Sequence, residues 1–156
     1  MRSIFLANAN STQKLGQQLG ELLPAGSVIL LTGDLGSGKT TLVQGIGLGL
    51  GITEAIVSPT FTLIAEYLAG RIPLYHLDLY RLESQEVNQL YLESYWEGID
   101  VPLGITAIEW AQRLPYLPPN YIDIHLSYLP EKGRQAVLEN RGDSKLDLSL
   151  FKPLID

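Results

Sequence analysis

Ser27-Val28-Ile29-Leu30-Leu31-Thr32 runs directly into Gly33-Asp34-Leu35-Gly36-Ser37-Gly38-Lys39-Thr40. The first stretch is short, apolar and bounded by glycines, the pattern of a strand buried on both faces. The second satisfies G-x-x-x-x-G-K-[ST]: its glycines let successive backbone N–H groups turn inward around phosphate oxygens, an approach that larger side chains would block. Thr40 to Leu50 then reads as a helix, whose N-terminus adds partial positive charge at the same place. Strand, glycine-rich loop and helix in that order predict a Mg-ATP site along the carboxyl edge of a sheet. It is formed by Gly33, Asp34, Leu35, Gly36, Ser37, Gly38, Lys39, Thr40 and Thr41. Lys39 serves as a mobile point charge for the β- and γ-phosphates and the Thr40 hydroxyl as a ligand for Mg2+. Gly45, Gly47 and Gly49 each cost the helix on the order of 1 kcal/mol against alanine. Tertiary packing must support it, and close approach to the sheet is one reason to keep glycines there.

Upstream, Leu15, Leu19, Leu22 and Leu23 recur at helical spacing between the capping-type residues Asn10, Ser11 and Thr12 and the break at Pro24-Ala25-Gly26. Downstream, Phe61 to Tyr67 and Ile72 to Leu77 are rich in strand formers and flank Leu68-Ala69-Gly70-Arg71, which predicts an antiparallel hairpin. Glu83 to Glu97 reads as mostly helical, with Leu90, Tyr91, Tyr95 and Trp96 available for burial, and Gly104 to Trp110 as another apolar strand. After Pro115, Pro118 and Pro119, Tyr121 to Tyr128 and Gln135 to Glu139 form a second hairpin around Pro130-Glu131-Lys132-Gly133. Beyond Gly142 the pattern is weak and loose packing is expected. The expectation is a single α/β domain over residues 1–156. Its fold is a P-loop NTPase-like three-layer sandwich with a mixed parallel and antiparallel sheet, a core at about 8–140 and a tail at 141–156.

Phosphoryl transfer to water needs a carboxylate near the metal and a group that orients the attacking water, because catalysis here is positioning and electrostatics. Asp78 follows Leu74-Tyr75-His76-Leu77 and Glu109 follows Ile105-Thr106-Ala107-Ile108, so each is a carboxylate at the end of an apolar strand, where open α/β sheets bind ligands. Either can hold metal and either can handle water; spacing does not assign the tasks. Ser58-Pro59-Thr60-Phe61-Thr62 lies where nucleotide switches place a hydroxyl that senses the γ-phosphate, as against an ordinary proline turn. His76, between Tyr75 and Leu77, reads as a packed, hydrogen-bonded histidine rather than a general base. Arg81 and Arg113 could stabilise transition-state charge but read better as surface ion-pair residues. Trp110 is core or pocket wall, with stacking on the nucleotide as the lesser option.

Eleven basic against 17 acidic residues give a net charge of -6, with no basic cluster. That argues against independent nucleic-acid binding, which needs a basic footprint to displace counterions, and leaves room for a protein-mediated role. With no cysteine there is no disulfide, thiolate metal site or cysteine nucleophile, which suits a cytoplasmic location. Met1 to Ala7 is too short an apolar stretch for a signal peptide, and no stretch approaches the ~20 apolar residues of a membrane span.

GDLGSGKTT, SPTFTL, YHLDLYRL and IEW, in this order and at these separations, resemble the TsaE family, bacterial ATPases of tRNA threonylcarbamoyladenosine biosynthesis. The likeness covers roughly residues 8 to 140. It implies a small ATPase that works with the TsaD and TsaB pair in modifying adenosine 37 of tRNA, meets tRNA only through those proteins, and resets their complex by hydrolysing ATP. Position by position, Lys39 and Thr40 match the phosphate-loop pair, Thr60 the switch threonine, Asp78 the carboxylate after the second strand, and Glu109 with Trp110 the IEW signature. The resemblance implies that both acids serve magnesium or hydrolysis. Ser37 stands where alanine is more usual, a change that a backbone cradle tolerates.

Other nucleotide chemistries fit less well. A small-molecule kinase needs an arginine-bearing lid, and no arginine cluster supplies one. A GTP switch needs an N-K-x-D-like run to read guanine, and none occurs; Asp78 is followed by Leu79-Tyr80-Arg81 instead of a switch glycine. The rival of a different class is a nucleotide-dependent protein-binding module whose occupancy, not turnover, is the signal.

Overall fold

The buried run before the glycine-rich loop becomes the central strand of a seven-stranded sheet. A computed structural model describes residues 1–59 and 62–151 of the chain. In chain order the elements are β1 (Arg2–Leu6), α1 (Ala9–Leu22), β2 (Val28–Gly33), α2 (Lys39–Leu50), β3 (Ile64–Tyr67), β4 (Leu74–Asp78), α3 (Ser84–Asn88), α4 (Glu93–Glu97), β5 (Ile105–Glu109), β6 (Tyr121–Tyr128) and β7 (Arg134–Arg141). The strand order is β1-β7-β6-β2-β5-β4-β3. β6, β2, β5 and β4 pair in parallel, and β3, β7 and β1 add antiparallel edges, so the sheet is mixed. The chain leaves β2 toward one side of the sheet and crosses after β5 to β6 on the other. The loop following β2 therefore opens at the point where the connections diverge.

α1 and α2 cover one face over a core that includes Leu15, Leu19, Leu42, Ile46, Ile29 and Leu31. The short α3 and α4 contribute to the second core on the opposite face, around Tyr75, Leu77, Val87, Leu92 and Ile108. The glycines of α2 have a different partner from the expected one. Gly45 and Gly49 press against α1, not the sheet: a methyl group on Gly45 would fall on the Gln13 carbonyl, and one on Gly16 of α1 on that of Leu42. The backbone contact this allows offsets the intrinsic cost of glycine in a helix. Asn8 caps the start of α1 by accepting from the Ser11 N–H at 2.9 Å, and Arg71 caps its end by donating to the Gly20 and Leu23 carbonyls at 2.7 Å each.

Three segments differ from expectation. Residues 83–97 form two short helices instead of one, with Tyr91 turned to φ +51 between them. Val87 and Leu92, not Leu90 and Tyr91, are the buried side chains; five positions apart, they would point roughly 140° apart on an unbroken helix. The break lets both face the sheet. Met1 to Ala7, with Ile4 and Leu6 buried and Phe5 outward, supplies edge strand β1 against β7. The tail is anchored: Phe151 is fully buried and its carbonyl accepts from Arg2 Nε at 2.9 Å. Among the described residues no helix is long and apolar enough to cross a membrane.

Candidate functional site

The loop from β2 to α2 carries Gly33, Gly36 and Gly38 at φ +146, +79 and +107. Of these, Gly33 is also sterically required by backbone, and Gly36 lies close under a side chain. A methyl group on Gly33 would fall on the Leu126 carbonyl of β6, and one on Gly36 would lie 2.9 Å from the Tyr128 hydroxyl. The β6–β7 hairpin grips the loop from outside: Tyr128 Oη and Arg134 Nη2 donate to the Gly36 carbonyl at 2.5 and 3.2 Å. The Arg134 guanidinium lies 5.1 Å from the Tyr128 ring centre. Ser37 N–H donates to the Asp34 carbonyl at 3.0 Å, while its buried hydroxyl finds no hydrogen-bond partner among the described residues.

Lys39 opens α2 and is buried. Its Nζ donates to the Gly33 and Asp34 carbonyls at 2.6 and 3.0 Å and sits 4.5 Å from the centre of a Trp110 ring. Burial pushes the Lys39 ammonium below its ordinary value, a fall opposed by the charges of Glu109, Asp78 and Asp34. A lysine that solvates itself on loop carbonyls can exchange them for phosphate oxygens.

β4 and β5 run parallel in a register that sets Asp78 opposite Glu109 at their carboxyl ends. Both acids are buried, 6 % and 3 % exposed. Thr40 Oγ1 donates toward Glu109, 3.1 Å from Oε1 and 3.0 Å from Oε2. Asp78 accepts from Ser58 Oγ at 2.8 Å on Oδ2 and from the Tyr80 N–H at 3.0 Å on Oδ1. Ser58 thus brings the start of the 58–62 stretch to the site; Thr60, expected there as the switch threonine, and Phe61 lie outside the described residues. His76 Nε2 lies 2.5 Å from Glu109 Oε2, in agreement with a packed, bonded histidine. Trp110 leaves β5 in the left-handed region at φ +58, which swings its ring against Tyr80, centres 4.7 Å apart, and over Lys39.

Gly36, Gly38, Lys39, Thr40, Thr41 and Leu35 line a cavity of about 380 Å³ with Ser58, Asp78, Tyr80, Glu109 and Trp110. A second cavity of about 460 Å³ at the opposite end of β2, beside Pro24 and Lys145, gathers no comparable chemistry. Asp34 contributes backbone to the loop, not a side chain to the cavity lining. Among the described residues Arg113 has no ion-pair partner; it donates to the Leu82 carbonyl at 3.0 Å. Tyr80, Tyr128 and Arg134 went unrecognised in the sequence. Tyr80 stands two residues past Asp78, whereas Tyr128 and Arg134 reach the loop only through the pairing of β6 with β2.

Hard oxygen donors suit a magnesium ion, and the Thr40 hydroxyl with the two facing carboxylates provides them. Among the described residues no three His, Cys, Asp or Glu side chains gather into a metal cage. That donor set fits magnesium, which is commonly held by one or two carboxylates together with phosphate oxygens.

Comparison with known proteins agrees with this architecture. The family model for threonylcarbamoyl adenosine biosynthesis protein TsaE matches residues 6–136. The chain is 68% identical over 136 residues to the tRNA threonylcarbamoyladenosine biosynthesis protein TsaE of Nostoc, covering 87% of this chain and 84% of that one. It is 36% identical over 142 residues to the protein of the same name from Bacillus subtilis, covering 91% and 80%. A crystal structure of YdiB from Bacillus subtilis superposes with a TM-score of 0.76 at 31% identity, over 91% of this chain and 86% of that one.

Proposed function

The chain belongs to the TsaE family of threonylcarbamoyl adenosine biosynthesis proteins, and we propose that it serves there as a magnesium-dependent ATPase. In this proposal it acts with partners of the TsaD and TsaB type, and its hydrolysis resets their complex between turnovers. The observation that carries the ATPase part is the convergence of Lys39, Thr40, Asp78 and Glu109 on one cavity beside the glycine-rich loop.

In this account the loop N–H groups and the α2 N-terminus hold the phosphates, and Lys39 leaves the Gly33 and Asp34 carbonyls for phosphate oxygens. Thr40, Asp78 and Glu109 would hold magnesium, which when bound neutralises charge on the phosphate oxygens. Asp78 and Glu109 divide that task with orienting the water that attacks the γ-phosphorus, yielding ADP and phosphate. Trp110, packed against Tyr80, lies over Lys39 as a wall of the cavity. Ser58 bonded to Asp78 brings the segment before Thr60 to the reacting end, and in this proposal Thr60 is the hydroxyl that senses the γ-phosphate.

Partner dependence is supported by chemistry at the mouth, where the cavity-lining Leu35 and Tyr80 are exposed. Net acidity supports contact with tRNA through proteins only. The test is reconstitution of tRNA modification with TsaD- and TsaB-type proteins over many turnovers. The ATPase account expects repeated cycles with the wild-type chain and a stop after about one cycle with Glu109→Gln. If Glu109→Gln sustains repeated cycles, occupancy alone is the signal and the chain is a nucleotide-dependent binding module.

A further inference from the structure

We propose that His76 is the positioning residue that aims the Glu109 carboxylate at the nucleotide end of the sheet, an inference that rests on the ATPase reading. His76 is fully buried in β4 on the face toward α2, one side-chain layer beneath Asp78. Its register partner on β5 is Ala107, whose small side chain leaves the imidazole room to lean toward Glu109, two residues farther along. The result is the 2.5 Å approach of Nε2 to Glu109 Oε2. On its other side the carboxylate meets only the Thr40 hydroxyl among the hydrogen bonds of the described residues.

An ionised carboxylate accepts and cannot donate, so the proton of this bond sits on Nε2 of the ring. The ring's other nitrogen, Nδ1, is buried and finds no partner among the described residues. An unpaired buried nitrogen is a cost that a leucine of similar volume would avoid, so packing does not account for a histidine here. What the imidazole adds is one fixed donor to a side chain whose terminal torsion is otherwise broad. With that torsion held, the oxygens of Glu109 stay on the Thr40 side of the cavity, in reach of a water or cation.

Three forms of the full-length protein separate this role from a structural one: wild type, His76→Leu, and His76→Gln, whose amide can place an N–H near the Nε2 position. Steady-state ATP hydrolysis in magnesium is expected to fall about tenfold or more in kcat for His76→Leu, with KM within about twofold, and to recover to within about threefold of wild type in His76→Gln. In a Glu109→Gln background His76→Leu should add no further loss. Long-range 1H–15N spectra of the ligand-free protein, which holds two histidines, give a second readout. They should show His76 as the Nε2–H tautomer, with a downfield ring proton that moves upfield in Glu109→Ala. The proposal is overturned if both His76 variants lose kcat equally along with thermal stability, if the losses add in the Glu109→Gln background, or if the ring carries its proton on Nδ1. A wild-type chain without turnover would overturn the ATPase reading and the kinetic role with it, leaving the spectra to decide the bond by itself.

Discussion

Thr40 and Glu109 meet across the site, the hydroxyl within 3.1 Å of one carboxylate oxygen and 3.0 Å of the other. The bond ties the first turn of α2, which carries the phosphate loop, to the last residue of β5. Glu109 thereby stands one hydrogen bond from a proposed metal ligand. Replacing Glu109 with glutamine keeps the shape and removes the charge. Turnover should fall by about two to three orders of magnitude while ATP affinity stays within a few-fold, as for a group acting mainly in the transition state. Fluorescent-nucleotide titration beside steady-state kinetics checks this; equal losses in both would mean that Glu109 only helps to bind.

In the proposed function Lys39 is a stability liability kept for binding. Since burial lowers its pKa, the ligand-free folded chain binds this proton less readily than the unfolded chain does. The penalty is fully present at pH values below the lowered pKa and disappears as pH rises through it toward the ordinary 10.5. Lys39→Met should therefore leave the thermal midpoint at neutral pH unchanged or higher, while ATP affinity falls by roughly a hundredfold or more. Calorimetry with and without nucleotide reads both. A variant that binds ATP as wild type would remove Lys39 from the site.

Gly45→Ala should be destabilising although alanine is the better helix former. A methyl group there meets the Gln13 carbonyl of α1, and forcing the helices apart costs about 1–3 kcal/mol. A propensity gain of about 1 kcal/mol offsets only part of that. A drop of several degrees in melting temperature is expected, against a smaller one for Gly51→Asn, where nothing lies within 4 Å and the only cost is the left-handed conformation, which asparagine adopts more readily than other residues.

Alkaline pH should loosen the face opposite α1 and α2. Burial, then a hydrogen bond to Glu93, pushes the Tyr116 phenol up to about 12 from 10.0. Burial likewise raises Tyr75 and Tyr95. A raised phenol keeps its proton longer in the folded than in the unfolded chain, so its contribution is complete below pH 10.0 and is lost as pH climbs toward about 12. Denaturant melts across that interval should show falling stability, with a shallower fall in Tyr116→Phe.

The glycine-rich turn between β2 and α2 is legible in sequence because its signal is local: contiguous glycines, a lysine and a threonine specify the backbone by themselves. Asp78 and Glu109 are legible because each ends an apolar run. Their facing each other is not, since it depends on β5 entering the sheet between β2 and β4. The His76–Glu109 bond and the grip of Tyr128 and Arg134 on Gly36 are hidden for the same reason, being set by strand order and register. Edge strand β1 and the anchored tail rely on partners at the other end of the chain: Arg2 meets Phe151. The break in residues 83–97 had a local signal, the five-residue spacing of Val87 and Leu92, which helical periodicity cannot bury on one face.

Magnesium-dependent ATP hydrolysis by the purified chain, alone and with TsaD- and TsaB-type partners and tRNA, tests the central claim most directly, with Lys39→Ala as the blank. The account expects phosphate release above the blank, abolished by chelation of magnesium and raised by the partners. Release equal to that of Lys39→Ala under every condition would contradict it.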